Sequence, residues 1–166
     1  MRALFAPWRL EYVSSAGRAA EGDCIFCRAW ESSNDRETLT LWRGERCFAL
    51  LNRYPYTSGH AMVAPVAHVA DLDDLEPGVL AEMMEAARAL TRALKIVYAP
   101  HAFNLGMNVG EAAGAGIKEH LHLHVVPRWM ADTNFISVVG DVRVIPENLG
   151  VTWEKVVRAL ATIDWK

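Results

Sequence analysis

The chain has 166 residues, 52% hydrophobic and 22% charged, which is enough for one domain with its own core and too few for two. A formal net charge of -3 argues against a general electrostatic grip on nucleic acid or on an anionic membrane. No apolar run is long enough to cross a bilayer, and Pro7, Trp8 and Arg9 interrupt the N-terminus where a signal peptide would carry its apolar segment, so a cytoplasmic protein is expected. Three cysteines, two of them in Cys24-Ile25-Phe26-Cys27, do not make a disulfide framework. In a reducing compartment that spacing suits metal binding or redox chemistry.

In chain order, residues 1–22 read as an arm followed by a loop, and the short apolar stretch 24–30 as the start of a helical turn. Polar residues 31–38 predict a surface loop. Strand-like segments follow at 38–42 and 47–52, separated by a turn at Arg43-Gly44-Glu45, and Pro55 and Gly59 then lead into a strand at 60–65. The strongest helix spans 77–97. Leu80, Met83, Met84, Ala87, Leu90, Leu94 and Val97 form its apolar stripe, with Met83 and Met84 as core filler, while Glu82, Glu85, Arg88, Arg92 and Lys95 face away. Residues 102–109 return to strand, and a glycine-rich loop (Gly110, Gly114, Gly116) feeds a strand carrying three histidines. Beyond it come an apolar stretch at 135–139, a turn at Gly140-Asp141 and a last helix from about Thr152, with Trp153, Val156, Val157 and Leu160 on one face. Two strand pairs split by one long helix predict an α+β fold with an antiparallel sheet.

His120, His122 and His124 alternate with aliphatic residues and would share one exposed strand face, with Leu121, Leu123 and Val125 turned into the core. Two chemistries fit such a row. It could hold a metal, as His-X-His pairs do in hydrolases, or one ring could attack phosphorus and carry the group covalently. Binuclear hydrolases need several carboxylates and only Glu119 stands beside the row, while the glycine-rich loop offers backbone N–H groups for phosphate oxygens. Read without a ligand, that loop is a plain hairpin connection. Cys24 and Cys27 with two distant histidines make a plausible zinc pattern, the other reading being two buried cysteines. Cys47 reads as an ordinary buried strand residue, His101 as a surface turn, and His60 as a pocket-lining residue or a turn cap. Asn52 is either a ligand contact or a turn cap.

Residues 120–126 match the His-φ-His-φ-His-φ-φ motif of the histidine triad (HIT) family. Leu51-Asn52-Arg53-Tyr54-Pro55-Tyr56-Thr57-Ser58-Gly59-His60-Ala61-Met62-Val63-Ala64-Pro65 resembles that family's nucleotide-binding strand–turn–strand, and Cys24-Ile25-Phe26-Cys27 its bacterial metal-binding entry. The flanks Ala6-Pro7-Trp8-Arg9 and Pro127-Arg128-Trp129 with Asp132-Thr133-Asn134-Phe135 look like the branch containing bacterial diadenosine tetraphosphate phosphorylases.

The resemblance implies a HIT-like fold: an antiparallel sheet of about five strands, one long helix and a C-terminal helix. It divides the chain into an arm (1–22), the HIT domain (23–140) and a C-terminal extension (141–166), the last part of the same domain or of a dimer seam. It implies nucleotidyl transfer, with His122 as nucleophile, His124 and His120 completing the catalytic row, and a covalent nucleotidyl-histidine intermediate. Asn52, His60, Met62, Asn108, Gly114, Gly116 and His124 would bind the nucleotide and its phosphate. Cys24, Cys27, His68 and His120 would hold a structural Zn²⁺, with a further divalent cation accompanying the nucleotide. A homodimer is implied, with the apolar arm and the C-terminal helix as candidates for its seam. The leading substrate is diadenosine tetraphosphate, by phosphorolysis or hydrolysis. The alternatives are a nucleoside phosphoramidase or a nucleotide-binding regulatory module with vestigial catalysis. One departure stands out: Gly116 occupies the place where many relatives carry glutamine, in a loop one residue longer, with Lys118 or the loop backbone as the possible substitute donors.

Overall fold

The computed structural model describes residues 24–130, 132 and 145–165. The N-terminal arm, the apolar stretch at 135–139 and the turn at Gly140-Asp141 lie outside them. Five strands, β1 (Thr40–Arg43), β2 (Cys47–Leu51), β3 (Ala61–Pro65), β4 (Ala102–Met107) and β5 (Leu123–Arg128), form one sheet in the order β1-β2-β3-β5-β4. Every neighbouring pair is antiparallel. The helices are α1 (Ile25–Glu31), the single turn α2 (Asp35–Thr38), α3 (Pro77–Tyr98) and α4 (Leu149–Leu160).

Alternation along the strands sorts side chains onto two apolar faces. Ala49, Leu51, Ala61, Val63, Leu123 and Val125 meet α3, and Phe48, Leu50, Met62 and Ala64 meet α1. Helix α3 starts with Pro77 at its first position and stops at Ala99, which takes a left-handed φ of 45°. Its buried face is Met83, Ala86, Ala87, Ala89, Leu90, Ala93 and Leu94, and the alanines let the helix lie close to the sheet. Met84 was expected in that stripe but is 54% exposed, because the stripe centres on residues 83, 87, 90 and 94 and leaves position 84 outside. Glu82, expected in solvent, turns inward instead. Its Oε1 accepts the Arg46 and Cys47 N–H groups at 3.1 and 3.4 Å and closes the β1–β2 turn.

Two local signals were underread. Asn34 accepts the Glu37 N–H and caps α2 where a plain loop was expected. Asn148 accepts the Gly150 N–H, so α4 begins at Leu149 rather than near Thr152. Helix α4 packs on α3 and on β1, where Trp153 Nε1 donates to the Thr40 carbonyl at 2.7 Å. Its buried residues Val156, Ala159 and Leu160 belong to the same core as α3.

Candidate active site

The histidine row lies where the chain enters β5, with His120 and His122 just ahead of the strand. A row exposed on a strand face was expected. Instead His120 and His122 are 0% and 5% exposed, because α1 covers them: the Phe26 ring sits against both imidazoles. Each ring has a nitrogen assigned by a neighbour. The Pro65 carbonyl can only accept, so His120 Nε2–H donates to it at 2.9 Å and Nδ1 keeps a lone pair. His122 Nδ1–H donates likewise to the His120 carbonyl at 2.9 Å, leaving the lone pair on Nε2. Burial holds both rings below the ordinary value of 6.5, against the opposing pull of those carbonyl bonds, so both stay neutral around pH 7.

His60 supplies the third assignment. It is 1% exposed and lies behind His124. Its Nδ1 accepts the Tyr56 N–H at 3.1 Å, which puts its proton on Nε2, and Nε2–H donates to His124 Nδ1 at 3.0 Å. The proton of His124 is therefore carried on Nε2. Tyr56 lies over His60 with ring centroids 4.5 Å apart, and Thr57 Oγ1 donates to the Pro127 carbonyl at 2.9 Å, tying the loop to β5.

Of the other expected contacts, Asn52 closes a turn by accepting the Tyr54 N–H at 2.9 Å, with Nδ2 3.5 Å from His60 Nδ1. Met62 is 4% exposed and packed in the core cluster beneath the site, a wall of the fold rather than an open contact. Asn108 directly follows β4, on the strand face shared by Gly106, which pairs with His124. Gly114 was expected to offer its N–H to phosphate. That N–H is taken by the Glu111 carbonyl at 3.0 Å, because Gly114, with φ of 81°, ends a 3₁₀ turn over Glu111–Ala113. Gly116 stays exposed, and Lys118 pairs with Glu111 at 3.4 Å.

Cys24, Cys27, His68 and His120 come together from three separate parts of the chain, with ligand atoms all within 4.8 Å of one another. Cys24 Sγ is 3.3 Å from His120 Nδ1, and Cys27 Sγ is 3.3 Å from His68 Nδ1. Two thiols and two imidazoles around a tetrahedral ion stand about 3.5 Å apart, so the donor set fits a metal with little rearrangement. The Pro65 carbonyl holds His120 from the opposite side, as outer partners of ligating histidines do. Burial, then Cys24 and Glu31, push the Cys27 thiol up to about 11, a shift that a cation's charge reverses.

Residues 34–130 match the HIT domain. The chain belongs to the HIT family. An AP-4-A phosphorylase from Mycobacterium tuberculosis is 38% identical over 170 residues, spanning 99% of this chain and 85% of its own. An adenosine 5'-monophosphoramidase from Saccharomyces cerevisiae is 28% identical over 123 residues, 74% of this chain and 73% of its own. Among solved structures, a zinc-bound histidine triad protein from Mycobacterium smegmatis superposes with a TM-score of 0.67 at 27% identity, covering 86% of this chain and 96% of that one. This HIT protein is accordingly an enzyme of the nucleotide hydrolase and transferase class, and HIT proteins bind adenine nucleotides. No helix among its described residues is long and apolar enough to cross a membrane.

Three contributors to the HIT site were missed from sequence: the Pro65 carbonyl, Phe26 and Arg43. The first is a backbone atom and leaves no residue signal. Phe26 stands inside the Cys-X₂-Cys segment and reads there as spacer. Arg43 donates to the Ala29, Trp30 and Ser32 carbonyls and pairs with Asp35, holding the C-terminal end of α1 against β1.

Proposed function

We propose that this enzyme cleaves dinucleoside polyphosphates, diadenosine tetraphosphate foremost, by nucleotidyl transfer through His122. The observation that carries the reading is the His122 Nδ1–H bond to the His120 carbonyl, which presents a neutral Nε2 lone pair held in one direction. Nε2 attacks the α-phosphorus, a P–N bond forms, and the P–O bond to the remaining nucleoside triphosphate breaks. The Nε2–H of His124, held in that tautomer by His60, hydrogen-bonds a phosphate oxygen as charge develops. Gly116 and Asn108 stand on the same loop and strand end to add donors, and Asn52 contacts the ribose with the lone pair its turn leaves over. Phosphate then attacks the nucleotidyl-histidine, giving ADP and ATP overall; water in its place gives AMP and ATP. The likeness to the M. tuberculosis AP-4-A phosphorylase over nearly the whole chain supports both this substrate and phosphate as acceptor.

Zinc is the metal we assign to the cysteine–histidine site, on the two-sulfur, two-nitrogen donor set and on the zinc-bound neighbour. All four positions of a tetrahedral ion would be filled by protein, so it braces the chain at His120 and leaves no open position for substrate. Thiol ligands of this kind suit a reducing, cytoplasmic setting. A homodimer fits the edge strand β4, four of whose six residues are exposed, with Leu105 47% exposed. The opposite edge is covered by α4.

Incubating the protein with diadenosine tetraphosphate, with and without phosphate, and separating the products tests the reading. Phosphate-dependent ADP with equimolar ATP is expected, and His122→Ala is expected to abolish turnover. Full-rate turnover by His122→Ala would sink the covalent route. The yeast relative makes adenosine phosphoramidate the second substrate to assay, and faster turnover of it would favour the phosphoramidase reading.

A further inference from the structure

Phe26 sits between the two cysteines and is fully buried. Its ring centroid is 5.0 Å from that of His120 and 4.8 Å from that of His122, with interplanar angles of 44° and 36°. One side chain thus touches a metal-binding imidazole and the imidazole assigned to attack. The helix that carries it, α1, is held at both ends. Cys24 and Cys27 anchor its start in the donor cluster, and Arg43 binds the carbonyls at its finish.

We infer that Phe26 is a positioning residue that transmits occupancy of the Cys24, Cys27, His68 and His120 site to the ring of His122. The χ2 torsion of a histidine is broad and roughly two-fold, so a ring needs more than one restraint to hold a single attack direction. The bond to the His120 carbonyl is one restraint on His122, the edge contact with the His124 ring at 4.8 Å is a second, and contact with Phe26 is the one that comes from α1. An ion that gathers Cys24 and Cys27 onto His68 and His120 seats α1 and keeps Phe26 against the His122 ring. A loosened α1 lifts that contact and leaves the ring to the carbonyl bond and the His124 edge. The part of the inference that concerns rate rests on the proposed role of His122 as nucleophile; the part that concerns ring order does not.

The test uses the full chain, zinc-loaded, as wild type, Phe26→Leu and Phe26→Ala, with bound zinc measured alongside the ¹H–¹³C ring signals of His122. Wild type is expected to show one narrow His122 signal. Phe26→Ala, still holding zinc, is expected to show a broadened or doubled one, with Phe26→Leu in between. Stripping zinc from wild type with a chelator reproduces the broadening. A single narrow His122 signal in zinc-loaded Phe26→Ala overturns the inference, since the His120 carbonyl and the His124 edge then suffice. If Phe26→Ala fails to fold, Phe26→Leu is judged by the same criterion. In turnover, kcat of Phe26→Ala falls about tenfold with KM within about twofold of wild type, and Phe26→Leu recovers most of the loss. Equal, measurable kcat in all three proteins overturns the part that concerns rate. A wild-type protein that turns over no nucleotide, with the ring signals behaving as stated, would remove the nucleophile reading and leave the coupling standing.

Discussion

The proton positions around the row follow from atoms that can only accept or only donate. Pro65 and His120 carbonyls and the Tyr56 N–H assign His120, His122 and His60 in turn, and His60 assigns His124. His60→Phe keeps an aromatic ring, a somewhat larger one, but removes its donor. Its rate of nucleotidyl transfer, followed by rapid quench, is expected to fall about tenfold to a hundredfold, as when other outer partners of reactive histidines are lost. The same burial has a pH consequence. His120 and His122 are held below 6.5, so in metal-free protein the unfolded chain takes up these protons before the folded one does. Their contribution to stability is whole above about pH 6.5 and is lost as the pH falls through the lower folded-state values. Urea midpoints of the chelator-treated protein should therefore drop between about pH 7 and pH 5, and a flat profile would contradict the burial argument.

Elements come next, and the loop before β3 shows how tightly one can be constrained. Gly59 has φ of 77°, and a Cβ there would stand 2.7 Å from Leu94 Cδ2 on α3. Gly59→Ala is expected to cost about 2–3 kcal/mol, from a side-chain clash added to left-handed strain, measurable as a shift in the urea midpoint without a change in slope. Helix α4 is moored through Glu147. Burial works against ionisation of that carboxyl, but hydrogen bonds from Lys155, Tyr98 and Thr152 together hold it below the ordinary value. Burial and the bond to Glu147 push the Tyr98 hydroxyl up to about 12. Tyr98→Phe should destabilise the protein by about 1.5–3 kcal/mol, the typical range for a lost hydrogen bond to a charged acceptor.

At the scale of the whole molecule, β1 and β4 are the two edge strands of the sheet. Among the described residues, Trp153 and α4 lie on the β1 side, whereas four of the six residues of β4 are exposed, Leu105 among them. If two copies pair there, Leu105→Lys should shift the protein toward monomer in sedimentation velocity, and an unchanged sedimentation coefficient would place the seam elsewhere. The four residues that could hold a metal likewise span the molecule, since they come from α1 and its cap, the segment after β3 and the entry to β5. Chelation should lower the thermal midpoint, and zinc in excess should restore it.

How much of this was legible beforehand depends on whether the signal is local. Helix α3, the strands and the alternation that sends Leu121, Leu123 and Val125 inward are written in residue periodicity, the three histidines stand out by their spacing, and the cluster that could hold a metal was named from the family resemblance. Met84, Glu82 and Gly114 were misread because their partners come from how elements pack or how a loop closes on itself. Gly114 looked like a phosphate donor until its N–H was found committed to Glu111. By itself the sequence determined which residue types stand at which spacing, and hence the α+β class, the family and the place of the histidine row. The tertiary structure alone decided that His120 and His122 are buried, which nitrogen of each ring carries the proton, and that the Phe26 ring lies against both. Burial, tautomer and ring contact depend on atoms brought together from distant parts of the chain, and no local pattern records them.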